Sequence, residues 1–165
     1  MTFEIFTQQL VSGVQQTQWY EFVAVFAGIA SVWFSRKENI LVYPVGLVNT
    51  VMYIFISFKY HLLGEATVNF YYTVMSLYGW LLWAKKDKQS HQYVLHITYS
   101  TKKEWVQQLL FFAVIFGVCF TALTVAKKYF FEGAIPAADA FATATAFTGM
   151  WLMAKKKVES WWWWI

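Results

Sequence analysis

Charged residues and cysteine are both scarce in this sequence. Charged residues occupy 13% of the 165 positions, whereas 59% are hydrophobic and 22% are aromatic. A soluble domain typically carries about 25% charged residues. Cys119 is the single cysteine, which excludes an intrachain disulfide and leaves the thiol as a small packing residue. The shortage of charge excludes an ordinary water-soluble domain and indicates a protein whose solvent is lipid.

The sequence also lacks a nucleotide-binding loop, a catalytic triad and a zinc motif. His91 and His96 are five residues apart with no cysteine or acidic cluster beside them, which is typical of solvated loop histidines. We therefore expect no enzyme, no metal and no cofactor. The net charge of +4 comes from short basic clusters between apolar runs, a pattern of membrane topology rather than of nucleic-acid binding.

Five apolar runs approach or reach the ~20 residues that a helix needs to cross a bilayer core. They occupy residues 18–35, 40–58, 66–84, 105–126 and 134–154. Residues 1–17 are polar and contain no Lys or Arg, so we expect an interfacial lead-in rather than a cleavable signal peptide. The pattern predicts an all-α polytopic membrane protein.

Basic residues predict the orientation of these spans. With the N-terminus outside, ten of the thirteen cations fall in inner loops, and three remain outside. The inner set is Arg36, Lys37, Lys85, Lys86, Lys88, Lys102, Lys103, Lys155, Lys156 and Lys157, and the outer set is Lys59, Lys127 and Lys128. Because inner loops carry an excess of Lys and Arg, the sequence favours an outer N-terminus.

A weak internal repeat predicts how the spans are organised. "WFSRKENILVYPV" from Trp33 resembles "WLMAKKKVESWWWWI" from Trp151 once one inserted lysine is allowed. We expect a three-helix unit at 18–84, an inner loop at 85–104, a linker helix at 105–126 and a partial second unit at 134–165, as in parallel-repeat transporters. After Glu159 only "SWWWWI" remains, too short to cross a bilayer, so the second unit is expected to be incomplete.

Two further patterns concern the inner loop and the helix starts. "YVLHITYS" at 93–100 alternates apolar and polar residues, which predicts a short strand or a docked interfacial segment. Glu21 and Asp139 fall near the outer ends of the first and fifth spans. An acid there interacts favourably with a helix N-terminus, and this explanation is preferred to a proton-coupling role.

Polar and aromatic residues within the spans are the candidate site. One face of the third span carries Asn69, Tyr72, Thr73, Ser76, Trp80 and Trp83. Such a stripe faces a cavity or ties helices together. The second span carries Asn49 and Tyr53, and its Pro44 and Gly46 suit either a hinge or a merely bent helix. Trp80 and Trp83, like Trp161 and Trp164, have the WxxW spacing. They could sandwich a flat ring, neutral or cationic, or simply belong to an interfacial belt.

Three stretches together resemble the PnuC family of bacterial vitamin transporters. They are "NILVYPVGLVNTVMYIF", "GEATVNFYYTVMSLYGWLLW" and "KKKVESWWWWI", and the resemblance runs from about residue 20 to the C-terminus. It implies a SWEET-like fold of seven core helices in a three, one, three plan, of which the last two are absent from this sequence. It also implies a homotrimer in the bacterial cytoplasmic membrane that carries nicotinamide riboside by facilitated diffusion, with phosphorylation by an intracellular nucleoside kinase as the trap.

The same resemblance implies roles for the candidate residues. Asn49 and Asn69 would hydrogen-bond the substrate, with Tyr53 and Tyr72 as weaker candidates. The aromatic walls would be Trp80, Trp83, Trp161 and Trp164. Three alternatives stay open: thiamine or a related cationic-ring vitamin as substrate, a binding subunit that needs a separate motor, and a non-transporting scaffold in which these residues only pack.

Overall fold

The structure is a computed structural model of the chain, and it describes residues 7–8, 11–13, 17–85, 95–129 and 135–164. Most of the predicted lead-in at 1–17 lies outside the described residues, as do His91, Lys86 and Lys88. The described chain forms two compact units, residues 1–73 and 74–165.

Long helices occupy all five predicted spans. The helices are α1 (Trp19–Arg36), α2 (Val42–Lys59), α3 (Leu63–Ala84), α4 (Lys102–Tyr129), α5 (Pro136–Ala154) and the short α6 (Ser160–Trp164). Two stretches, Val42–Lys59 and Lys102–Ala126, are long and apolar enough to cross a membrane by length and composition. Hydropathy therefore located the helices to within a few residues.

In the first unit, α1 and α2 pack closely through small residues and two hydrogen bonds to backbone. Ala24 of α1 is fully buried, and its carbonyl accepts a 2.7 Å bond from the Asn49 side chain of α2. Nearer the turn, Ser31 Oγ donates to the carbonyl of Val42 at 3.0 Å. In the middle of α3, Thr73 Oγ1 donates to Thr50 Oγ1 at 2.9 Å. Small side chains let the helix backbones approach, as in membrane helix pairs.

The opposite end of this helix pair is held by exposed side chains. Tyr60 donates its hydroxyl hydrogen to a Glu21 oxygen at 2.9 Å, and the Lys59 ammonium donates to the Tyr20 hydroxyl. Glu21 also accepts from the backbone N–H of Gln18, so it lies in the first turn of α1. Asp139 lies in the first turn of α5. The predicted placement of both acids at helix N-termini is confirmed.

In the second unit, α4 begins at a capping box. The Thr101 backbone N–H donates to Glu104 at 2.8 Å, and the Glu104 N–H donates to Thr101 Oγ1 at 3.3 Å, so two free donors of the helix start are satisfied. Pro136 opens α5, a position where its missing N–H costs nothing. Rings then join α4 to α5, with Phe111 and Trp151 centroids 5.0 Å apart.

The segment before α4 docks beside the turn after α5. Thr98 forms an isolated parallel β-bridge with Lys157. Its N–H donates to the carbonyl of Lys156, and its carbonyl accepts from the N–H of Val158, both at 3.2 Å. The alternating sequence at 93–100 predicted a short strand or a docked segment, and the part that the structure describes, residues 95–100, is docked.

The internal repeat is present in the backbone, but the inserted lysine is wrong. Asn39 N–H donates to the carbonyl of Phe34 at 3.0 Å, and Lys157 N–H donates to the carbonyl of Leu152 at 3.0 Å, 118 residues further on. Both turns contain one residue with positive φ, Glu38 at 52° and its counterpart, also 118 residues on, at 53°. The bonds that start α2 and α6 recur at the same offset. The register is therefore gapless, because the hydrogen bonds that close the turn and start the next helix recur at one constant offset.

Candidate functional site

The four consecutive tryptophans of α6 differ in their surroundings. Trp161 and Trp164 keep 45% and 44% of their surfaces exposed. Trp162 is 61% exposed and lies beside Trp105, with ring centroids 6.0 Å apart. Trp163 is half-buried. A helix of 3.6 residues per turn places the first and fourth residues on neighbouring faces, so the exposed pair shares one side of α6.

Trp163 is fixed by a chain of hydrogen bonds that ends on a buried carboxylate. Its indole N–H donates to Gln108 Oε1 at 3.3 Å, and Gln108 Nε2 donates to Ser100 Oγ at 2.6 Å. Ser100 donates its hydroxyl hydrogen to Glu159 at 3.0 Å and its N–H to the other carboxylate oxygen at 2.8 Å. Gln108 is 0% exposed and Glu159 is 2% exposed. Buried polar groups persist where they are satisfied in this way.

This chain, which we call the α6 anchor (Ser100, Gln108, Glu159 and Trp163), joins three parts of the second unit. Ser100 belongs to the docked segment, Gln108 to α4, and Glu159 to the turn before α6. Trp163 also packs against Phe112 of α4, with centroids 5.2 Å apart. A helix of five residues has little stability of its own, so α6 depends on the anchor for its place. The exposed faces of Trp161 and Trp164 are held in position as a result.

Trp80 and Trp83 of α3 are placed differently from each other. Trp83 is 6% exposed, whereas Trp80 is 38% exposed. The Trp83 indole donates to the carbonyl of Ala154 at 3.2 Å, at the end of α5, and the Lys156 ammonium lies 4.4 Å from its ring centroid. This geometry makes Trp83 a cap for the last turn of α5 and leaves Trp80 as the more open ring.

Positive charge surrounds the end of α5. Lys155 lies 4.0 Å from the ring centroid of Trp151, and burial lowers the pKa of its ammonium. Lys157 forms a 2.8 Å ion pair with Glu104. Cations at a helix C-terminus interact favourably with the negative end of the helix dipole. Each lysine contacts a ring or a carboxylate. These contacts and the helix dipole account for the three positive charges at this turn.

In the first unit, both predicted amides donate to helix backbone. Asn49 Nδ2 donates to the Ala24 carbonyl, as described above, and Asn69 Nδ2 donates to the carbonyl of Glu65 on its own helix at 2.9 Å. A methyl group at Gly28 would lie 2.8 Å from Asn49 Nδ2, so Asn49 fits only because Gly28 has no side chain. Among the described residues the structure gives no partner to the side-chain oxygen of either amide.

The remaining predicted residues of the first unit are less constrained. Tyr53 and Tyr72 are half-buried, and the Tyr72 ring lies 6.2 Å from that of Tyr71. Pro44 lies in the first turn of α2, which begins at Val42, where a proline removes no bond within the helix. A proline kink is therefore not needed, and the hinge stays a prediction.

Sequence reasoning missed the α6 anchor and a glycine of α5, Gly149, considered below. The available signal was Gln108, a neutral polar side chain in an apolar helix, where polar groups usually have a partner. Glu159 was noticed as part of the repeat but not as a buried carboxylate. Among the described residues, no group of three or more His, Cys, Asp or Glu side chains could hold a metal ion.

Comparison with known proteins places this arrangement among transporters. Residues 18–165 match the family model described as nicotinamide mononucleotide transporter. The chain is 25% identical over 79 residues to the nicotinamide riboside transporter PnuC of Escherichia coli (strain K12) and to the protein of the same name from Shigella flexneri. Each match covers 48% of this chain and 33% of the relative. The matched part thus spans about a third of the length of these curated relatives.

A solved structure shows the same fold. The crystal structure described as that of the vitamin B3 transporter PnuC matches with a TM-score of 0.67 at 22% sequence identity, covering 96% of this chain and 67% of that chain. The predicted all-α polytopic membrane fold is confirmed by this likeness. At this level of identity the likeness shows the fold alone.

Proposed function

The chain belongs to the nicotinamide mononucleotide transporter family, whose family model matches residues 18–165, and we propose that it carries nicotinamide riboside across the bacterial cytoplasmic membrane. The observation that supports this substrate is the exposed pair of indoles, Trp161 and Trp164, on a helix fixed by buried hydrogen bonds. Nicotinamide riboside contains a flat, positively charged pyridinium ring. A cation over an indole face gains roughly 1–2 kcal/mol as it is desolvated.

The other predicted site residues complete the proposal. Trp80 offers a further open ring, and Trp83 supports the end of α5 on which α6 follows. In the first unit, the side-chain oxygens of Asn49 and Asn69 can accept hydrogen bonds from hydroxyl or amide groups of the substrate. Tyr53 and Tyr72 supply hydroxyls. These neutral partners suit a substrate whose ring is already cationic, because a fixed carboxylate would hold it too tightly to release it.

We propose transport by facilitated diffusion rather than by ion coupling. Glu21 and Asp139 lie in the first turns of α1 and α5, where the helix dipole accounts for them, and a coupling carboxylate would be expected deeper in the membrane. The proposal includes the seven-helix plan of the family, a homotrimer, an outer N-terminus and trapping of the substrate by an intracellular kinase.

The decisive experiment measures uptake of nicotinamide riboside into liposomes that contain the purified chain. A uniported monovalent cation follows the membrane potential alone, at about 2.3 kcal/mol per 100 mV. An inside-negative potassium diffusion potential of about 60 mV should therefore concentrate the substrate about tenfold. Sodium or proton gradients without a potential should give equal concentrations on both sides. Accumulation that requires either gradient would contradict uniport, and liposomes that take up nothing would contradict transport by this chain.

Equilibrium binding tests the indoles directly. We expect Trp161→Ala and Trp164→Ala each to weaken binding of nicotinamide riboside about tenfold, because one stacked cationic contact is lost. Trp162→Ala is the matched control, since Trp162 is also exposed but lies on another side of α6, beside Trp105. Thiamine should compete weakly. If thiamine binds more tightly, the substrate is the other cationic-ring vitamin. If all three variants bind nicotinamide riboside with the affinity of the wild-type chain, the two indoles do not belong to the site.

A further inference from the structure

A close contact between α5 and α6 joins a glycine and an indole. A methyl group built on Gly149 would lie 2.8 Å from Trp164 Nε1, 3.0 Å from Cδ1 and 3.1 Å from Cε2. All three atoms belong to the rigid ring system of Trp164, and Gly149 itself is buried. The indole therefore lies directly on the backbone of α5, at a distance that no residue with a side chain would allow.

The first unit has the same crossing with its two residues exchanged. In the gapless register of 118 residues, Gly149 corresponds to Ser31, and Trp164 corresponds to Gly46. A methyl group built on Gly46 would lie 3.0 Å from Ser31 Oγ, and that hydroxyl donates to the Val42 carbonyl at 3.0 Å. At this equivalent pair of positions each helix pair thus has one glycine, but on opposite helices.

This exchange shows that the crossing of the two helices does not require an indole. The close approach of the two helices is achieved in the first unit with a serine hydroxyl, so an indole is not needed to build the turn. Trp164 is also 44% exposed, whereas a tryptophan that serves only to pack is usually buried deeply. One edge of the ring is fixed against Gly149 while a large part of its surface stays accessible.

We propose that Gly149 is a positioning residue for substrate recognition: it seats the Trp164 indole in the orientation in which the cationic ring of the substrate stacks on it. The inference rests on the proposed function, and it adds a residue that does not touch the substrate. An indole held in place before binding loses little conformational freedom when the substrate arrives, and such preorganisation raises affinity.

The contact of the Trp164 indole with Gly149, which we call the seat, is tested first without any substrate. Alanine is more favourable than glycine in a helix interior, so Gly149→Ala should raise the thermal stability of the chain if space allows, and lower it if Trp164 is seated there. We expect Gly149→Ala to lower Tm in the wild-type background but to raise it in a Trp164→Ala background. Gly117→Ala in α4 is the matched control, because no atom lies within 4 Å of its built methyl group. Equal effects of Gly149→Ala in both backgrounds would overturn the seat.

Binding of nicotinamide riboside then tests the positioning role. We expect Gly149→Ala to raise Kd about tenfold, as removal of the indole itself does, while Gly117→Ala leaves Kd unchanged. If the wild-type chain binds and Gly149→Ala binds equally well, the positioning role is overturned although the proposed function stands. If the wild-type chain does not bind, the proposed function fails, and the positioning role fails with it. Should Gly149→Ala not fold, recovery of folding in the double variant Gly149→Ala/Trp164→Ala supports the seat, and failure to recover overturns it.

Discussion

The turn between α1 and α2 and the turn between α5 and α6 share one backbone but are stabilised in different ways. In the first turn, Asn39 Oδ1 accepts from the N–H of Leu41 at 3.0 Å, a bond between residues two apart. In the second turn, Glu159 accepts two bonds from Ser100, 59 residues away in sequence. The side-chain bond of Asn39 is therefore local, whereas those of Glu159 reach a distant part of its unit.

This difference matters because the second turn carries the tryptophans. A local turn keeps its shape when its surroundings change, since its hydrogen bonds close within a few residues. A turn held by long-range bonds responds to every change in its partners, and partly satisfied buried networks are costly. We infer that substitutions in the α6 anchor change the positions of the exposed indoles of α6, and that matched substitutions in the first turn have only local effects.

The largest effect is expected at Glu159. Glu159→Ala leaves the Ser100 N–H and hydroxyl without their acceptor in a buried place, and hydrogen bonds to charged groups contribute about 1.5–3 kcal/mol each. We expect the free energy of unfolding to fall by about 3 kcal/mol, measured by thermal unfolding in detergent. Asn39→Ala is the control in the first turn, and should cost about 1 kcal/mol. Equal losses at the two turns would contradict the comparison.

The next effect is expected at Gln108. Gln108→Leu removes the acceptor of the Trp163 indole and the donor to Ser100, which should cost about 2 kcal/mol because two buried polar groups lose a partner. The neighbouring Gln107 is exposed, and Gln107→Leu should change stability by about 0.5 kcal/mol or less. Unfolding in urea, followed by circular dichroism, measures both. A similar small change for the two variants would mean that the α6 anchor does not stabilise the unit.

A smaller effect is expected where α1 meets α2. Gly28→Ala forces the Asn49 side chain to move, because the new methyl group would lie 2.8 Å from Nδ2. Overpacking of this kind costs about 1–3 kcal/mol, against a gain of about 1 kcal/mol from the better helix propensity of alanine. We expect a net loss of about 1 kcal/mol in thermal unfolding. In an Asn49→Ala background the same substitution should become stabilising, and a loss that persists there would place the strain elsewhere.

Hydropathy and charge predicted the helices, because the length of an apolar run is a property of the chain alone. The acids at Glu21 and Asp139 were also predictable, since the preference of an acid for a helix N-terminus is local. The alternation at 93–100 indicated a docked segment for the same reason. Each of these features depends on residues within one or two turns of each other.

The partners of the polar side chains could not be predicted. Helical periodicity placed Asn69 and Trp83 on one stripe, but Asn69 bonds to its own helix and Trp83 bonds to the end of α5, 71 residues away. A stripe gives the direction of a side chain, and the partner depends on which helix packs there. The register of the repeat was also missed, because allowing an inserted lysine matched residue types, whereas the fold matches hydrogen bonds.

The smallest effect is expected at an ion pair that the second turn has and the first turn lacks. Lys157 and Glu104 form an ion pair with side chains 13% and 36% exposed, and at the equivalent place the first turn has the neutral Asn39. Exposed ion pairs contribute about 0.2–1 kcal/mol, so Glu104→Gln should cost about 0.5 kcal/mol at low salt. The loss should shrink at 1 M salt, where the screening length falls to about 3 Å. Lys157→Gln should give the same loss, because either substitution breaks the same pair. If the loss is independent of salt and differs between the two variants, Glu104 acts through its bonds to Thr101 instead, and the second turn is held by the α6 anchor and the bridge at Thr98 alone.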